Sequence, residues 1–369
     1  PKIKKIEMLL QFKNKRISSI ISVIPANEVN FMDEIGNYSF TETQMKKLKK
    51  VMGFDKRRVS LHGETVSDYA IKGISTLIEE GVIKENEIGA IVVTTTSPDY
   101  FIPPTSNVIQ GHFHFDMDTI CIDTSQGCCG FVVGLVESFM LLDSMKNKKV
   151  LLITGDMLSH KVSRRDRASR PITGDGVAIS VIENSLNTGD IYASIKNNGK
   201  AAFSVYIPAG GSKIPITEET GIEREDEFGN WRNLQQLCMQ GDLVFNFIIN
   251  DTPVMIEELM TEAKEIKENV DYFICHQSSV FTLKKLREHL GVSKEKLPND
   301  IVPIYGNSSS ATIPVTLTHH FSDMFKDKNI NRIMFAAFGT GLSLGAVLMD
   351  VPKFDYCEFI EYAHSNAQL

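Results

Sequence analysis

The feature of this 369-residue chain that most constrains its fold is an internal repeat. When the sequence is shifted by 182 positions, residues 77–88 lie over residues 259–270. Each of these segments reads as an amphipathic helix followed by a short acidic loop. At the same offset, the apolar residues 91–94 fall on residues 273–276. A common register for successive elements predicts two copies of one structural unit.

The repeat continues through a third element and then loses its register. Residues 119–122 fall on residues 301–304 at the first offset, so we expect both segments to be strands. Each copy then ends in a strand, a glycine turn and another apolar strand, but there the offset is 165. The first copy therefore carries about 17 extra residues. They fit the strongly basic loop 159–171, and long loops in compact domains are often functional.

Alternation of strands with helices predicts an α/β fold with mostly parallel, buried sheets. We place the two copies at residues 1–185 and 186–369. A pseudo-two-fold axis between them would bring the carboxyl ends of equivalent strands together, and ligands of α/β proteins usually bind at those ends. The repeat therefore predicts one shared site.

Composition narrows the class of protein. The chain is 42% hydrophobic and 23% charged, which is typical of a soluble globular protein. A net charge of −7 argues against general nucleic-acid binding, and no apolar run is long enough for a membrane span. Six cysteines without a recognisable secretory segment predict reduced thiols in the cytoplasm. No credible Cys/His zinc pattern is present, so we expect no metal.

Cys128 is the candidate nucleophile of the first copy. It lies on a turn of small residues between a β-favouring segment and the apolar segment that begins at Gly130. A thiol at a helix N-terminus is close to the positive end of the helix dipole, so we expect a lowered pKa and a larger thiolate fraction. A buried structural cysteine is the alternative interpretation of the same position.

A histidine and an asparagine in the second copy complete a Cys-His-Asn set. His276 lies 148 residues after Cys128, and Asn307 lies 31 residues further on. Papain-like proteases use the same three residue types with a similar Cys-to-His separation. Their cysteine, however, lies near the mature N-terminus in a C-G-[SA]-C-[WY] motif. The mid-chain sequence 127–131, within a duplicated α/β pattern, does not match that motif.

From about residue 46 to residue 349 the chain resembles the thiolase-fold condensing enzymes, and most closely β-ketoacyl-acyl-carrier-protein synthase III. The resemblance rests on a series of motifs in the family's order. They are Gly53-Phe54-Asp55, Glu64-Thr65, Thr94-Thr95-Thr96-Ser97, the turn from Asp123 to Phe131, Gly174-Asp175-Gly176, Ile207-Pro208-Ala209-Gly210-Gly211-Ser212, Met239-Gln240-Gly241, His276-Gln277, Gly306-Asn307-Ser308-Ser309 and Phe338-Gly339-Thr340-Gly341. The resemblance implies a thiolase-like duplicated αβαβα layered fold.

The resemblance also implies a reaction in two stages. Cys128 takes up an acyl group as a thioester. His276 and Asn307 then stabilise the enolate that forms when a malonyl thioester loses CO₂, and this enolate attacks the acyl group in a decarboxylative Claisen condensation. The loop of Phe338, Gly339, Thr340 and Gly341 would contribute to the oxyanion site and shield the malonyl carboxylate.

The donor-binding positions match the family less well. Arg167 matches an arginine at the mouth of the family's cofactor site, and Gly211 belongs to a matching motif. Lys47, however, stands near the position of an aromatic residue that stacks on coenzyme A, and Phe281 replaces an arginine that meets phosphate. The substrates are expected to be thioesters of coenzyme A or of acyl-carrier-protein phosphopantetheine, with no permanently bound cofactor. The departures favour a specialised, carrier-bound acyl donor.

By resemblance, the protein is expected to be a cytoplasmic homodimer in fatty-acid or related lipid metabolism, with residues 94–103 near the partner's pocket and Ile102 in a gating position. Three alternatives remain open. The chain could transfer an acyl group from Cys128 to an oxygen or nitrogen acceptor without decarboxylation. It could act like a hydroxymethylglutaryl-CoA synthase, with Glu64 as general acid–base. It could also be a non-enzymatic partner subunit that only binds acyl groups.

Overall fold

The computed structural model describes residues 8–322 and 330–363, and it has the layered αβαβα architecture that the resemblance implies. The strands are β1 (Leu10–Lys13), β2 (Lys15–Pro25), β3 (Glu28–Asn30), β4 (Lys56–Arg58), β5 (Ile88–Thr94), β6 (Ile120–Thr124), β7 (Lys149–Asp156), β8 (Gly176–Asn184), β9 (Asp190–Asn197), β10 (Val205–Tyr206), β11 (Arg224–Glu225), β12 (Trp231–Arg232), β13 (Cys238–Met239), β14 (Tyr272–Cys275), β15 (Ile330–Gly339), β16 (Ser343–Pro352) and β17 (Tyr356–Tyr362). The helices are α1 (Phe31–Glu34), α2 (Glu42–Met52), α3 (Val66–Glu79), α4 (Thr105–His112), α5 (Gly130–Ser144), α6 (Gly241–Glu262), α7 (Val280–Leu290), α8 (Val302–Tyr305) and α9 (Thr312–His320).

Two mixed sheets correspond to the two copies of the repeat. The six-stranded sheet has the order β17-β2-β8-β7-β5-β6, in which β7, β5 and β6 are parallel. The five-stranded sheet has the order β1-β9-β16-β15-β14, in which β14 and β15 are parallel. The proposed boundary at residue 185 falls between β8 and β9 and stays a prediction. Each sheet includes one strand from the opposite end of the chain.

One element of the repeat is not a strand in both copies. Residues 119–122 contribute to β6, as expected, but the prediction of a strand over residues 301–304 is wrong because these residues form the short helix α8. Pro303 explains the difference. Proline has no N–H to donate to a sheet, whereas in the first turn of a helix that donor is not needed. Asn307 therefore follows a helix and not a strand.

The hydrophobic core lies between the two sheets. Helix α5 contacts β5, β7 and β8 of one sheet and β15 and β16 of the other. Its apolar residues face both sheets, and Phe131, Leu135 and Phe139 are fully buried. Because most residues of α5 are buried, its nearly uninterrupted apolar sequence is that of a central helix. No helix among the described residues is both long and apolar enough to cross a membrane.

Helices α2 and α7 lie outside this core, and the C-terminus of α2 packs against the N-terminus of α7. Helix α2 begins with a capping box formed by Thr41 and Gln44 and ends at Gly53, which has a φ of 77°. Helix α7 begins at Ser279, whose hydroxyl accepts a hydrogen bond from the Thr282 N–H at 3.1 Å. A Cβ at Gly53 would lie 2.4 Å from the Val280 Cβ, so only glycine permits this approach. These two helices border the cavity described below.

Candidate functional site

Cys128 lies on the turn between β6 and α5, as expected, and a second loop packs directly against it. The turn is closed by a hydrogen bond of 2.7 Å from the Gly130 N–H to the Gly127 carbonyl. A Cβ added to Gly339 would lie 2.5 Å from the Cys128 Cβ and 3.2 Å from its Sγ. The end of β15 thus packs directly against the thiol, at a distance that only glycine permits. The two halves of the chain meet at this sulfur.

The electrostatic environment of Cys128 is the reverse of the expected one. Burial raises the pKa of its thiol to about 12, and the negative charge of Asp156 adds to this effect. This direction is opposite to the predicted lowering of the pKa, because loss of solvation and a nearby carboxylate both disfavour the thiolate. Asp156 is fully buried, and its Oδ1 accepts hydrogen bonds from the hydroxyls of Thr95, Thr96 and Ser97.

His276 follows β14 and is buried as a neutral imidazole. Burial lowers the pKa of His276 to about 3. Its Nδ1 lies 2.7 Å from the Thr312 hydroxyl, which is also 3.1 Å from the Ser309 carbonyl. Thr312 has a single hydroxyl proton to donate. When Thr312 donates it to Nδ1, the tautomer of His276 carries its proton on Nε2.

Asn307 is held by the loop that precedes β8. Its N–H donates to the Ile172 carbonyl at 2.6 Å, and its own carbonyl accepts from the Gly174 N–H at 3.1 Å. Its side-chain Oδ1 accepts the Ser309 N–H at 2.9 Å. Because Oδ1 is directed to that backbone group, the orientation of the amide, and with it of Nδ2, is fixed.

Ser309 joins the three candidate residues, and the sequence analysis gave it no role beyond its motif. Its hydroxyl lies 4.0 Å from the Cys128 sulfur, its N–H donates to Oδ1 of Asn307, and its carbonyl oxygen lies 3.1 Å from the hydroxyl of Thr312, the partner of His276. Its φ of 55° lies in the left-handed region, which is unusual for serine. The structure thus brings Cys128, His276 and Asn307 together around one strained residue.

The loop after β15 has the position that the resemblance implies. Phe338 is almost fully buried, and its ring centroid lies 5.5 Å from that of His276 at an interplanar angle of 77°. The Thr340 hydroxyl lies 3.1 Å from the place that a Cβ on Gly127 would occupy. Gly341 has a φ of 126°, which residues with a side chain rarely adopt.

A cavity of about 1220 Å³ opens beside this site. It reaches Ile172, which binds the Asn307 backbone, and Ser278, two residues after His276. Its remaining lining residues are Phe40, Leu48, Met52, Phe54, Arg167, Ala168, Phe203, Tyr206, Asp226, Glu227, Phe228, Asn230, Arg232, Cys238, Met239, Gln240, Gly241, Asp242, Leu243, Val244, Phe245, Ile248, Ser279, Phe281 and Thr282. The lining is mainly apolar, as in most sites for organic ligands.

The structure places the two candidate donor-binding residues differently. Arg167 lines the cavity, where its guanidinium lies 3.9 Å from the centre of the Phe40 ring. Gly211 lies in an exposed turn and does not line the cavity; its role in donor binding stays a prediction.

The basic loop is only partly available to ligands. Arg170 is buried and forms an ion pair of 2.9 Å with Glu34, which also binds the buried Arg57. Arg165 is exposed and stacks on Trp231 at 4.1 Å from the ring centre. Arg165 and Arg170 therefore make contacts within the protein, whereas Arg167 lines the cavity.

Glu64 has structural partners at the start of α3. Its Oε2 accepts hydrogen bonds of 2.7 Å from the Leu61 N–H and from the Tyr69 hydroxyl. These contacts account for a buried glutamate without a catalytic role. Within the described ranges, no three His, Cys, Asp or Glu side chains form a group that could hold a metal ion.

Comparison with known sequences relates both halves of the chain to one family. Residues 122–199 match the profile described as 3-oxoacyl-[acyl-carrier-protein] synthase III, and residues 260–351 match the profile of its C-terminal part. A β-ketoacyl-[acyl-carrier-protein] synthase III of Syntrophomonas wolfei is 29% identical, over 80% of this chain and 86% of its own. The synthase III of Clostridium beijerinckii is 27% identical, over 91% of this chain and 99% of its own.

Comparison with solved structures gives the same result. The crystal structure of a 3-oxoacyl-(acyl-carrier protein) synthase from Burkholderia xenovorans has a TM-score of 0.88 and 25% identity to this chain. The match covers 96% of this chain and 99% of that one. The expected fold class, a thiolase-like α/β fold, is thereby confirmed.

Proposed function

Because the chain belongs to the 3-oxoacyl-[acyl-carrier-protein] synthase III family of condensing acyltransferases, we propose that Cys128 accepts an acyl group and condenses it with a malonyl thioester. The observation that carries this proposal is the convergence of Cys128, His276 and Asn307 on Ser309. A structural cysteine would not need a buried histidine and an oriented amide beside it.

The first half-reaction forms an acyl-enzyme. The Cys128 sulfur attacks the thioester carbonyl of the donor, the donor's carbon–sulfur bond breaks, and the thiol proton passes to the departing thiolate. Since burial raises the pKa of Cys128, proton loss accompanies attack and does not precede it. The close packing of Gly339 on Cys128 supports a role for backbone N–H groups of both residues in binding the oxyanion.

The second half-reaction makes the carbon–carbon bond. Nε2–H of His276 and the Nδ2 amide of Asn307 donate to the thioester carbonyl of the malonyl group. Cleavage of the carboxylate releases CO₂, and the electron pair forms an enolate that these donors stabilise. The enolate carbon attacks the acyl carbonyl, and the Cys128 sulfur leaves. A neutral imidazole suits this role, and burial keeps His276 neutral at physiological pH.

Phe338 supports the decarboxylation step. Its ring packs edge-on against His276 and presents an apolar surface where the malonyl carboxylate would approach. Poor solvation raises the free energy of a carboxylate relative to that of neutral CO₂, so an apolar neighbour favours its loss.

The proposal extends to a homodimer. Strand β6 is an edge strand, and unpaired strand edges commonly pair with another chain. In the nearby loop, Phe101 and Ile102 are 85% and 84% exposed, which is unusual for adjacent large apolar residues. A second copy covering this surface would bring Ile102 towards the partner's acyl pocket. Sedimentation analysis tests this, and a monomer at micromolar concentration would exclude it.

The decisive experiment follows the two half-reactions separately by intact-mass spectrometry. Incubation with acyl thioesters should add one acyl group to Cys128, and subsequent addition of a malonyl thioester should remove it as a 3-oxoacyl product with release of CO₂. The Cys128→Ser variant should give no thioester adduct. Loss of the acyl group to an oxygen or nitrogen acceptor without CO₂ release would refute condensation.

A further inference from the structure

The charges that line the cavity are predominantly negative. Three carboxylates, those of Asp226, Glu227 and Asp242, face two guanidinium groups, those of Arg167 and Arg232. Glu227 and Asp242 are exposed to solvent. The lining therefore carries one net negative charge.

Both arginines are already engaged by the protein. Arg232 forms ion pairs with Asp226 and, at 3.7 Å, with the buried Asp166. Arg167 stacks on the Phe40 ring and donates hydrogen bonds to the Phe228 carbonyl and to the Asn230 amide oxygen. A phosphate entering the cavity would have to compete with these contacts.

The walls suit a neutral chain. Phe245 and Phe281 stack with their ring centroids 5.5 Å apart at an interplanar angle of 23°. Phe203 and Tyr206 form an edge-on pair nearby, and both rings line the cavity. An extended arm of methylene and amide groups can pack on such surfaces, whereas phosphate groups would lose hydration without gaining a free cation.

We propose that this cavity selects acyl donors whose thioester arm carries no nucleotide, and so favours a carrier-protein donor over free coenzyme A. The inference rests on the proposed function, because it concerns the donor of the first half-reaction. Free coenzyme A brings a nucleotide with additional phosphates to the cavity mouth, where Glu227 and Asp242 repel them. A carrier protein brings only the single phosphodiester of its prosthetic arm to the mouth and keeps its bulk outside.

The outer surface beside the cavity is basic. Leu48 and Met52 of α2 line the cavity, while Lys47 and Lys50 of the same helix are exposed. An acidic carrier protein would be attracted to these lysines without entering the acidic mouth. The carboxylates at the cavity mouth would disfavour coenzyme A, and the exposed lysines of α2 would favour an acidic carrier protein.

The test compares hexanoyl-CoA, hexanoyl-pantetheine and a hexanoyl-acyl carrier protein as donors to Cys128, followed by intact mass. We expect a lower kcat/KM for loading from hexanoyl-CoA than from hexanoyl-pantetheine. Added salt should increase loading from hexanoyl-CoA, because it screens repulsion. The double substitution Glu227→Gln/Asp242→Asn should raise the CoA-to-pantetheine ratio by about three- to tenfold. Glu79→Gln, which removes an exposed carboxylate at the end of α3, should leave the ratio unchanged.

Two further results complete the test. Lys47→Glu/Lys50→Glu should reduce loading from the carrier protein more than loading from hexanoyl-pantetheine, and an equal reduction for both donors would exclude docking on α2. Loading from hexanoyl-CoA that matches or exceeds hexanoyl-pantetheine and falls with salt would overturn the selectivity. Absence of any adduct from all three donors would instead refute the proposed function itself.

Discussion

Substitution of Gly339 by alanine tests whether the two halves of the chain meet at the reactive sulfur. The added Cβ would lie 2.5 Å from the Cys128 Cβ, whereas carbon atoms in contact are normally separated by about 3.5–4.0 Å. The loop or the cysteine turn must therefore move by about 1 Å. Overpacking of this kind typically destabilises a protein by about 1–3 kcal/mol.

The expected catalytic effect is larger than the effect on stability. A displacement of about 1 Å in a reacting group can reduce a rate roughly 100-fold. Acyl transfer to Cys128 in Gly339→Ala should therefore fall by about two orders of magnitude, measured as the initial rate of adduct formation. The melting temperature should fall by only a few degrees, since most of the core is untouched.

A matched glycine in an open position supplies the control. A Cβ at Gly199 would meet no other atom within 4 Å, so Gly199→Ala should keep both the wild-type rate and the wild-type melting temperature. Acylation of Gly339→Ala at the wild-type rate, in a folded protein, would refute the close packing of these two loops. It would also remove the support for an oxyanion site between them.

Four further predictions follow from the same geometry. His276→Ala should retain acylation of Cys128 but lose condensation by about 100- to 1,000-fold, as measured with a malonyl thioester after acyl loading; equal loss of both half-reactions would contradict the assigned role. Thr312→Val removes the hydroxyl next to Nδ1 of His276 and should reduce the rate of condensation, whereas Thr312→Ser keeps that hydroxyl and should keep the wild-type rate. Equal condensation rates for the two variants would show that this hydrogen bond does not matter. Because the pKa of Cys128 is raised, the rate of its alkylation by iodoacetamide should continue to increase above pH 9. Asp156→Asn should shift this pH profile to lower pH. A plateau of the rate near pH 8 would contradict a raised pKa. Burial lowers the pKa of His276 to about 3, so the unfolded chain binds one more proton than the folded chain between about pH 6.5 and pH 3. The free energy of unfolding should therefore fall on acidification through that window. Urea unfolding at pH 7 and pH 5 should show a smaller fall for His276→Gln than for the wild type.

Much of the fold could be predicted from the repeat, because the order of apolar and polar residues within each short segment indicates its secondary structure. The paired strands that end each half were visible as apolar periodicity at a constant offset, whereas the segments read as helices, 77–88 and 259–270, contain only the last turns of the helices before β5 and β14. The exception was α8, where Pro303 and not the repeat decides the structure. A single residue without an N–H can override a pattern inherited from duplication.

The candidate site was less predictable from the sequence. Cys128, His276 and Asn307 could be identified as residue types that follow predicted elements. Ser309 could not, because its role depends on a left-handed backbone conformation and on contacts with both halves of the chain. The pKa of Cys128 was mispredicted for a similar reason. A helix N-terminus can be read from a sequence, but the burial of the thiol and the approach of Asp156 arise only from tertiary packing.

The segment that follows the basic insertion of the first half packs against the second half. Since α8 replaces the strand equivalent to β6, no neighbouring strand of its own sheet holds Asn307. A bridge between Thr173 and Asn307 takes that place, and Thr173 lies just after the inserted loop. The Gly174 Cα lies so close to α8 that an added Cβ would be 2.2 Å from the Tyr305 carbonyl oxygen. The segment that follows the insertion therefore positions Asn307, although it belongs to the other copy of the repeat.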